Sequence, residues 1–331
     1  MKNARIIGVG HYVPENVITN EDLTQWMDTT NEWIVERTGI EERRWISEGQ
    51  TISDLAYEAS VKALKMANME AAQLDFIIFA SLGSDYEFPG GGCFLNEKLG
   101  VPGVPALDVR TQCTGFVYGL TVADQFIKTG MYKNILVVGA EVQSNSMDLS
   151  TRGRDVSVIF GDGAGAAVLT ASEEPDKGIL GSRLHADGRY TGELCLELPN
   201  INQKPRISAD LLDSDRIYPY MNGRFVFKHA IVKFPAVIHE VMEACDIKAE
   251  DVNLVIPHQA NLRITEAVSK RLGIGMDRFV SNIHKYGNTT AASIAIALSE
   301  AYEEGRVKDN DIICLAAFGS GFTWGAMLLR W

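Results

Sequence analysis

No run of apolar residues in this 331-residue chain approaches the ~20 that a membrane-crossing helix needs. The start, MKNARIIGVG, lacks the apolar core and small-residue cleavage site of a secretory signal. Neither a membrane partner nor export is expected. Positive charge is also short: 31 Lys and Arg face 43 Asp and Glu, a formal net charge of −12. Nothing supplies an overall basic field for a nucleic-acid backbone. Cys93, Cys113, Cys195, Cys245 and Cys314 are odd in number and scattered without a CxxC pair, offering neither a disulfide framework nor a zinc site. The expectation is a cytoplasmic protein with reduced thiols and no metal. No linker or low-complexity tract divides the chain. At 46% hydrophobic and 22% charged, its composition is that of an ordinary globular protein with a sizeable core.

What is present centres on Asp108–Gly130, DVRTQCTGFVYGLTVADQFIKTG. A short apolar approach runs into Cys113 and then into helical periodicity. Phe116, Leu120, Ala123 and Phe126–Ile127 recur at helical spacing, and Gly130 supplies the stop. Cys113 therefore falls on a turn at a helix N-terminus, where free amide hydrogens and the helix dipole favour a thiolate. A thiolate attacks carbonyl carbon. Most free cysteines, however, are small, inert core residues, so the rest of the chain has to decide.

ARIIGVGHYVPENVITNEDLTQWM reads as a strand, a turn at Pro14 and a helix capped near Thr19 or Asn20. Residues 53–67 are helical in pattern. LDFIIFAS (74–81) and NILVVGAE (134–141) are the continuous apolar runs of strands buried on both faces. VSVIFGDGAGAAVLT (156–170) reads as a strand pair; its glycine spacing does not fit GxGxxG and it leads into a strand, so it is not a nucleotide loop. Residues 171–220, with Pro175, Pro199, Pro205 and Pro219, read as irregular surface loops. Helix and strand patterns alternate again from Phe225.

The second half repeats the first. AAQLDFIIFAS (71–81) resembles AEDVNLVIPHQ (249–259), setting Asp75 on Asn253 and Ala80 on His258. Cys113 lies 17 residues before Gly130, and Asn288 lies 17 before Gly305. A polar turn and a strand follow each glycine. A duplicated α/β unit with an approximate two-fold axis follows. Residues 1–171 form a half carrying the cysteine; 172–331 form a half carrying His258 and Asn288, with a loop insertion over about 172–222. Cys113 and Asn288 would then head equivalent helices, with His258 ending the strand beside them.

Such a trio has a definite chemistry. A cysteine at a helix N-terminus takes an activated acyl group into a covalent thioester. A histidine and an asparagine aimed at one point donate hydrogen bonds to a developing enolate or oxyanion. His258 stands apart from the other five histidines because it follows the apolar LVIP at the mouth of a strand. Asn288, in YGNTTAAS, also suits a helix N-cap.

DVRTQCTGFVYGL (108–120), IPHQANLRI (256–264), KYGNTTAAS (285–293) and AAFGSGFTWGAMLLRW (316–331) resemble the motifs of β-ketoacyl-acyl carrier protein synthase III. NEWIVERTGIEERR (31–44) and FGDGAGAAVL (160–169) extend the likeness over nearly the whole chain. The resemblance implies the thiolase fold, two duplicated βαβαβαβαββ halves in αβαβα layers, and a homodimer. It implies a decarboxylative Claisen condensation. Cys113 would be acylated by an acyl-CoA primer, typically acetyl-CoA, and malonyl-acyl carrier protein would then lose carbon dioxide. His258 and Asn288 would stabilise the enolate, whose carbon attacks the Cys113 thioester. The backbone amides of Cys113 and Ser320 match the family's oxyanion hole. Coenzyme A thioesters enter as substrates, and no cofactor is implied.

Further positions carry over from the same resemblance. Trp33 and Arg154 match the pair that sandwiches the coenzyme A adenine, Arg37 a phosphate contact, and Asn261 the pantetheine-channel motif. Arg224 and Phe227, in MNGRFVFKHA (221–230), stand beside the coenzyme A channel. Phe88 matches a phenylalanine that helps close the acyl pocket of a second subunit. Arg263, Glu266 and Lys270 share one face of a predicted helix opposite Ile264, Ala267–Val268 and Leu272. With Arg271, Arg278 and Lys285 they form a basic patch suited to docking an acidic carrier protein. Two departures bear on the primer. FPGGG (88–92) has three glycines where the family segment is richer in side chains, which would loosen the acyl pocket. Arg224 replaces a common asparagine and, with RGR at 152–154, resembles relatives in secondary metabolism. Initiation of fatty-acid synthesis is the main expectation; a specialised pathway with a non-acetyl primer is the alternative.

Rival chemistries fit parts of the pattern. The order Cys, His, Asn, with His258 145 residues after Cys113, is also that of a papain-like hydrolase, but the CG[SA]C[WY] signature is missing. A non-condensing acyltransferase would have less use for both His258 and Asn288. A thiolase would need a second cysteine that AAFGSGFTWG does not offer, since Cys314 falls inside a strand pattern.

Overall fold

The computed structural model describes residues 3–331. The first half runs β1 (Ala4–Tyr12), β2 (Asn16–Thr19), α1 (Asn20–Leu23), α2 (Asn31–Thr38), β3 (Glu42–Trp45) and α3 (Ile52–Met66). It continues with β4 (Phe76–Ala80), α4 (Gly91–Leu99), β5 (Ala106–Val109), α5 (Gly115–Lys128), β6 (Ile135–Glu141), α6 (Arg154–Ser157) and β7 (Gly163–Ala171). Thr19 and Thr51 open α1 and α3 with capping boxes to Asp22 and Asp54, which is why those helices start where they do. The apolar runs become β4 and β6, buried at every position, as parallel strands covered on both faces must be. The sheet has the order β1-β7-β6-β4-β5, antiparallel at β1-β7-β6 and parallel at β6-β4-β5.

The second half comprises β8 (Gly178–Ala186), β9 (Leu194–Cys195), β10 (Tyr220–Met221), α7 (Gly223–Ala244) and β11 (Leu254–Pro257). After these come α8 (Leu262–Leu272), α9 (Ile283–Tyr286), α10 (Ser293–Glu303), β12 (Ile312–Gly319) and β13 (Thr323–Arg330). Its sheet, β8-β13-β12-β11, is antiparallel at β8-β13-β12 and parallel at β12-β11. A parallel bridge from Val255 to Phe279 takes the fifth place. Position for position this is the first sheet again. Even a small clamp recurs. Asp75 Oδ2 accepts the N–H groups of Lys133 and Asn134 (3.0 and 2.9 Å) ahead of β6, and Asn253 Oδ1 accepts that of Ile312 (2.8 Å) at β12.

Two helices lie between the sheets. Phe116, Leu120, Ala123 and Ile127 of α5 share one buried cluster with Ile294, Ala297, Leu298 and Ala301 of α10 and with residues of both sheets. Each large side chain so buried contributes about 1.5–3 kcal/mol, so α5 cannot shift without opening the core. On the outer faces, α3 and α4 pack on the first sheet and α7 and α8 on the second. The layers are αβαβα, the thiolase fold.

Several local readings change. Residues 156–170 are no strand pair: α6 and a turn lead into the single strand β7, enclosed between β1 and β6, and Phe160 bridges instead to Asn288. An extra strand, β2, pairs with β3 ahead of α1. The insertion expected over 172–222 begins later, because β8 forms the edge of the second sheet. Most of β8 is only half buried, so the strand left no clear apolar alternation. The alignment of the halves also moves. α10 has 11 residues against 14 in α5, so counting back from Gly305 overshoots. Left-handed Gln112 (φ 49°) and Thr290 (φ 48°) hold equivalent places at the head of matching 3₁₀ turns. The counterpart of Cys113 is therefore Ala291, and Asn288 lies just ahead of it.

Candidate active site

Cys113 sits at the junction of the halves because Gly319, at the end of β12, has no side chain. A Cβ there would stand 2.6 Å from Cys113 Cβ and 2.8 Å from Sγ. Gly139 of β6 meets Ala291 in the same way, at 2.4 Å from its carbonyl oxygen. The heads of α5 and α10 touch where a Cβ on Gly115 would lie 3.4 Å from Ala291 Cβ. A hydrogen bond between Thr114 Oγ1 and Thr323 Oγ1 (2.9 Å) ties the cysteine's turn to β13. The backbone N–H groups of Ser320 and Cys113 both favour the thiolate. They do not prevail. Burial, with the Glu141 carboxylate second, pushes the Cys113 thiol up to about 12. The thiolate expected from the helix N-terminus is therefore not the resting form, because desolvation outweighs the amides.

His258 is presented at the mouth of β11, its N–H bonded to Ala316 O at 2.8 Å. The ring is buried. Nδ1 lies 2.7 Å from Ser293 Oγ on the first turn of α10. That oxygen also accepts the Gln259 N–H at 3.4 Å; with its own hydrogen donated to Nδ1, the ring proton lies on Nε2. Nε2 has no partner among the described residues. Burial draws the imidazole down to about 3, so it is neutral. A neutral ring bonded to serine, with no hydrogen bond to Cys113, is not the imidazolium of a papain-like pair.

Asn288 is seated by the first half. Its N–H donates to Ile159 O (2.8 Å) and its carbonyl accepts from Gly161 N–H (3.1 Å). Oδ1 accepts the Thr290 N–H at 2.9 Å, and Nδ2 makes no hydrogen bond among the described residues. Beneath this segment the fully buried Arg43 donates to Ile18 O, Asn20 Oδ1 and Val158 O. Sequence reasoning missed Arg43, Ser293 and Glu141. The signal for Glu141 was the one charged residue closing an otherwise apolar strand.

At the surface, Trp33 of α2 has the guanidinium groups of both Arg37 and Arg154 at 4.5 Å from its ring centroid. Arg154 is fixed there by a 2.7 Å bond to Asp28 O. Asn261 caps α8 through Arg263 N–H and reaches Arg37 O at 2.8 Å, joining α8 to this group. Arg224, exposed on the first turn of α7, has no hydrogen bond or ion pair among the described residues. Phe227 is half buried against the α7 cluster.

The α8 face is as read, with Ile264, Val268 and Leu272 inward and Arg263, Glu266, Lys270 and Arg271 exposed. Its charge is partly committed. Arg263 stands 3.6 Å from Glu36, Arg271 donates to Ile231 O, and Arg278 to Glu250 O and Val252 O. Phe88 is 81% exposed. The glycines after it are tightly packed within the chain. A Cβ on Gly90 would strike the Asp108 carboxylate at 2.3 Å and one on Gly91 the Phe79 ring at 2.4 Å, so they are there for close packing of α4. Among the described residues, no helix is long and apolar enough to cross a membrane, and no group of three or more His, Cys, Asp or Glu could hold a metal.

Residues 107–188 match the family described as 3-oxoacyl-[acyl-carrier-protein] synthase III, and residues 242–331 match its C-terminal domain. The chain is 45% identical over 328 residues to the beta-ketoacyl-[acyl-carrier-protein] synthase III of Caldanaerobacter subterraneus subsp. tengcongensis, covering 99% of this chain and 98% of that one. The structure superimposes on the 3-oxoacyl-[acyl-carrier-protein] synthase III of Aquifex aeolicus with a TM-score of 0.91 and 44% identity, covering 99% and 100%. It also superimposes on the priming β-ketosynthase of the R1128 polyketide pathway with a TM-score of 0.90 and 30% identity, covering 99% and 96%.

Proposed function

The chain belongs to the 3-oxoacyl-[acyl-carrier-protein] synthase III family, and we propose that the site around Cys113 carries out its decarboxylative condensation. An acyl group from coenzyme A is joined to malonyl-acyl carrier protein, which initiates fatty-acid synthesis. The observation that supports this most is the combination of a cysteine seated beside two backbone N–H groups with His258 Nε2, buried and without a partner among the described residues, and Asn288 Nδ2, which makes no hydrogen bond among them.

In acylation, Cys113 Sγ attacks the thioester carbon. The carbon–sulfur bond of the acyl-CoA breaks, and the leaving thiolate gains the proton that Cys113 gives up. A thiol near 12 loses that proton as the new bond forms, not beforehand. The amides of Cys113 and Ser320 stabilise the transient oxyanion. In the second step the malonyl carbon–carbon bond breaks, carbon dioxide leaves, and the electron pair spreads onto the thioester oxygen. Two neutral donors suit that charge, since neither brings a proton acidic enough to quench the carbanion. The carbanion then attacks the Cys113 thioester, forms the new carbon–carbon bond and expels the cysteine. Losing one such donor costs about 10²- to 10³-fold.

Trp33, Arg37 and Arg154 are proposed to bind the coenzyme A nucleotide, with one stacked guanidinium moving aside for the adenine. The exposed Arg263, Lys270 and Arg271 suit an acidic carrier protein. Phe88 projects as it would if it entered a second copy of the chain, making the active form a homodimer. Incubation with acyl-CoA and malonyl-acyl carrier protein should yield 3-oxoacyl carrier protein and carbon dioxide, and Cys113→Ala should yield none. Preference for a longer or aromatic acyl-CoA over acetyl-CoA would favour the specialised reading. No condensation with any acyl-CoA would refute both.

A further inference from the structure

Glu141 closes β6 between the heads of α5 and α10, only 1% exposed, and neither half-reaction uses it. Every hydrogen bond of its carboxylate is to a donor. Oε1 accepts the N–H groups of Leu82 (3.2 Å) and Ala291 (3.4 Å). Oε2 accepts from Gln143 Nε2 (3.2 Å) and Ser81 Oγ (3.4 Å). These donors favour the ionised form and hold both oxygens in place, while burial, the larger effect, raises the group to about 8. The Ala291 N–H is the counterpart of the Cys113 N–H, but it donates to a protein carboxylate instead of a substrate oxygen.

From Glu141 the contacts run on to Asn288. Gln143 Nε2 reaches Thr290 Oγ1 at 3.3 Å, and the Thr290 N–H is held by Asn288 Oδ1 at 2.9 Å. Thr290 is left-handed, φ 48°, a conformation that a β-branched residue keeps only where its surroundings over-determine it. Gln143 on its hydroxyl and Glu141 on the next N–H brace it from both sides. If the turn relaxed, Asn288 Oδ1 would lose the N–H that orients its amide, and oxygen and nitrogen could exchange places. The donor facing the enolate would then be an acceptor.

We propose that Glu141, through Gln143 and Thr290, is the positioning residue that fixes Asn288 for decarboxylation. The inference rests on the roles proposed above for Cys113 and Asn288. Its test reads the two half-reactions separately on the full chain. One is acyl transfer from acetyl-CoA to Cys113 by intact mass; the other is carbon dioxide release from malonyl-acyl carrier protein. Glu141→Gln and Gln143→Ala should each lower kcat for release on the order of 10- to 100-fold, the effect of small misplacements. KM for the carrier protein should hold in both variants; the rate of acylation should hold in Gln143→Ala and should not fall in Glu141→Gln, where the charge that opposes ionisation of Cys113 is removed. Thr290→Gly, which adopts the left-handed turn without strain, should restore part of the release in the Gln143→Ala background. If Glu141→Gln does not fold, Gln143→Ala decides alone. Equal loss of both half-reactions, or unchanged release, overturns the inference. A wild-type chain that fails in either half-reaction would instead bring down the reading on which it rests.

Discussion

Gly319 and Cys113 meet across the junction of the two halves, and the missing side chain of the one is the space the other occupies. A Cβ on Gly319 falls 2.6 Å from Cys113 Cβ, a separation that rigid core atoms do not tolerate. Gly319→Ala should therefore displace the turn that carries the nucleophile. The expected outcome is loss of the Cys113 acyl adduct and a destabilisation of about 1–3 kcal/mol, typical of overpacking. Adduct formation by mass spectrometry and the unfolding midpoint check the two parts.

Ser293 is placed to set the tautomer of His258: a hydroxyl that donates to Nδ1 keeps the ring proton on Nε2. Ser293→Ala removes that preference. Carbon dioxide release should fall by about 10- to 100-fold, the scale of a small misplacement of a reacting group, while acylation of Cys113 holds its rate. A variant that decarboxylates normally would remove Ser293 from the mechanism.

Arg154 and Arg37 stack on Trp33. Loss of one cation–π contact is worth ~0.5–2 kcal/mol, so Arg154→Ala should raise KM for acetyl-CoA by about 2- to 30-fold. KM for malonyl-acyl carrier protein should not change. Equal effects on both substrates would contradict an adenine site at Trp33.

Stability should depend on pH through His258. Its pKa lies near 3 in the folded chain against an ordinary 6.5. Between those values the unfolded chain holds a proton that the folded chain excludes, so stability falls as pH falls through the window. The slope for one proton is at most about 1.4 kcal/mol per pH unit. Glu141, raised by burial to about 8, acts in the opposite direction, stabilising most below its ordinary value and losing that contribution as pH rises towards 8. The difference in unfolding free energy between wild type and His258→Gln should therefore widen from pH 4 to pH 7. A difference independent of pH would show that His258 titrates normally.

Features written in apolar pattern were legible in the sequence. The runs at 74–81 and 134–141 could only be enclosed strands, and Asp75 on Asn253 marked a true repeat. The catalytic candidates Cys113 and His258 were legible because each ends an apolar approach at a point where a helix or strand opens. What escaped depends on tertiary context. Arg43 and Glu141 look like surface charges in the sequence, yet both are enclosed and hold backbone. α10 is shorter than α5, so the register of the halves slipped until Gln112 and Thr290 could be compared. That the glycines at 90–92 give room to Asp108 and Phe79 was not legible either. Desolvation of Cys113 reversed a sign that the helix dipole alone had set.

The division of labour between Cys113 and the pair His258 and Asn288 is the central claim. Its most direct test is the intact mass of the His258→Ala and Asn288→Ala variants after incubation with acetyl-CoA, read beside their carbon dioxide release from malonyl-acyl carrier protein. Both variants should still gain one acetyl group on Cys113 while releasing little or no carbon dioxide. Unacetylated protein in both variants, or undiminished release, would contradict the account.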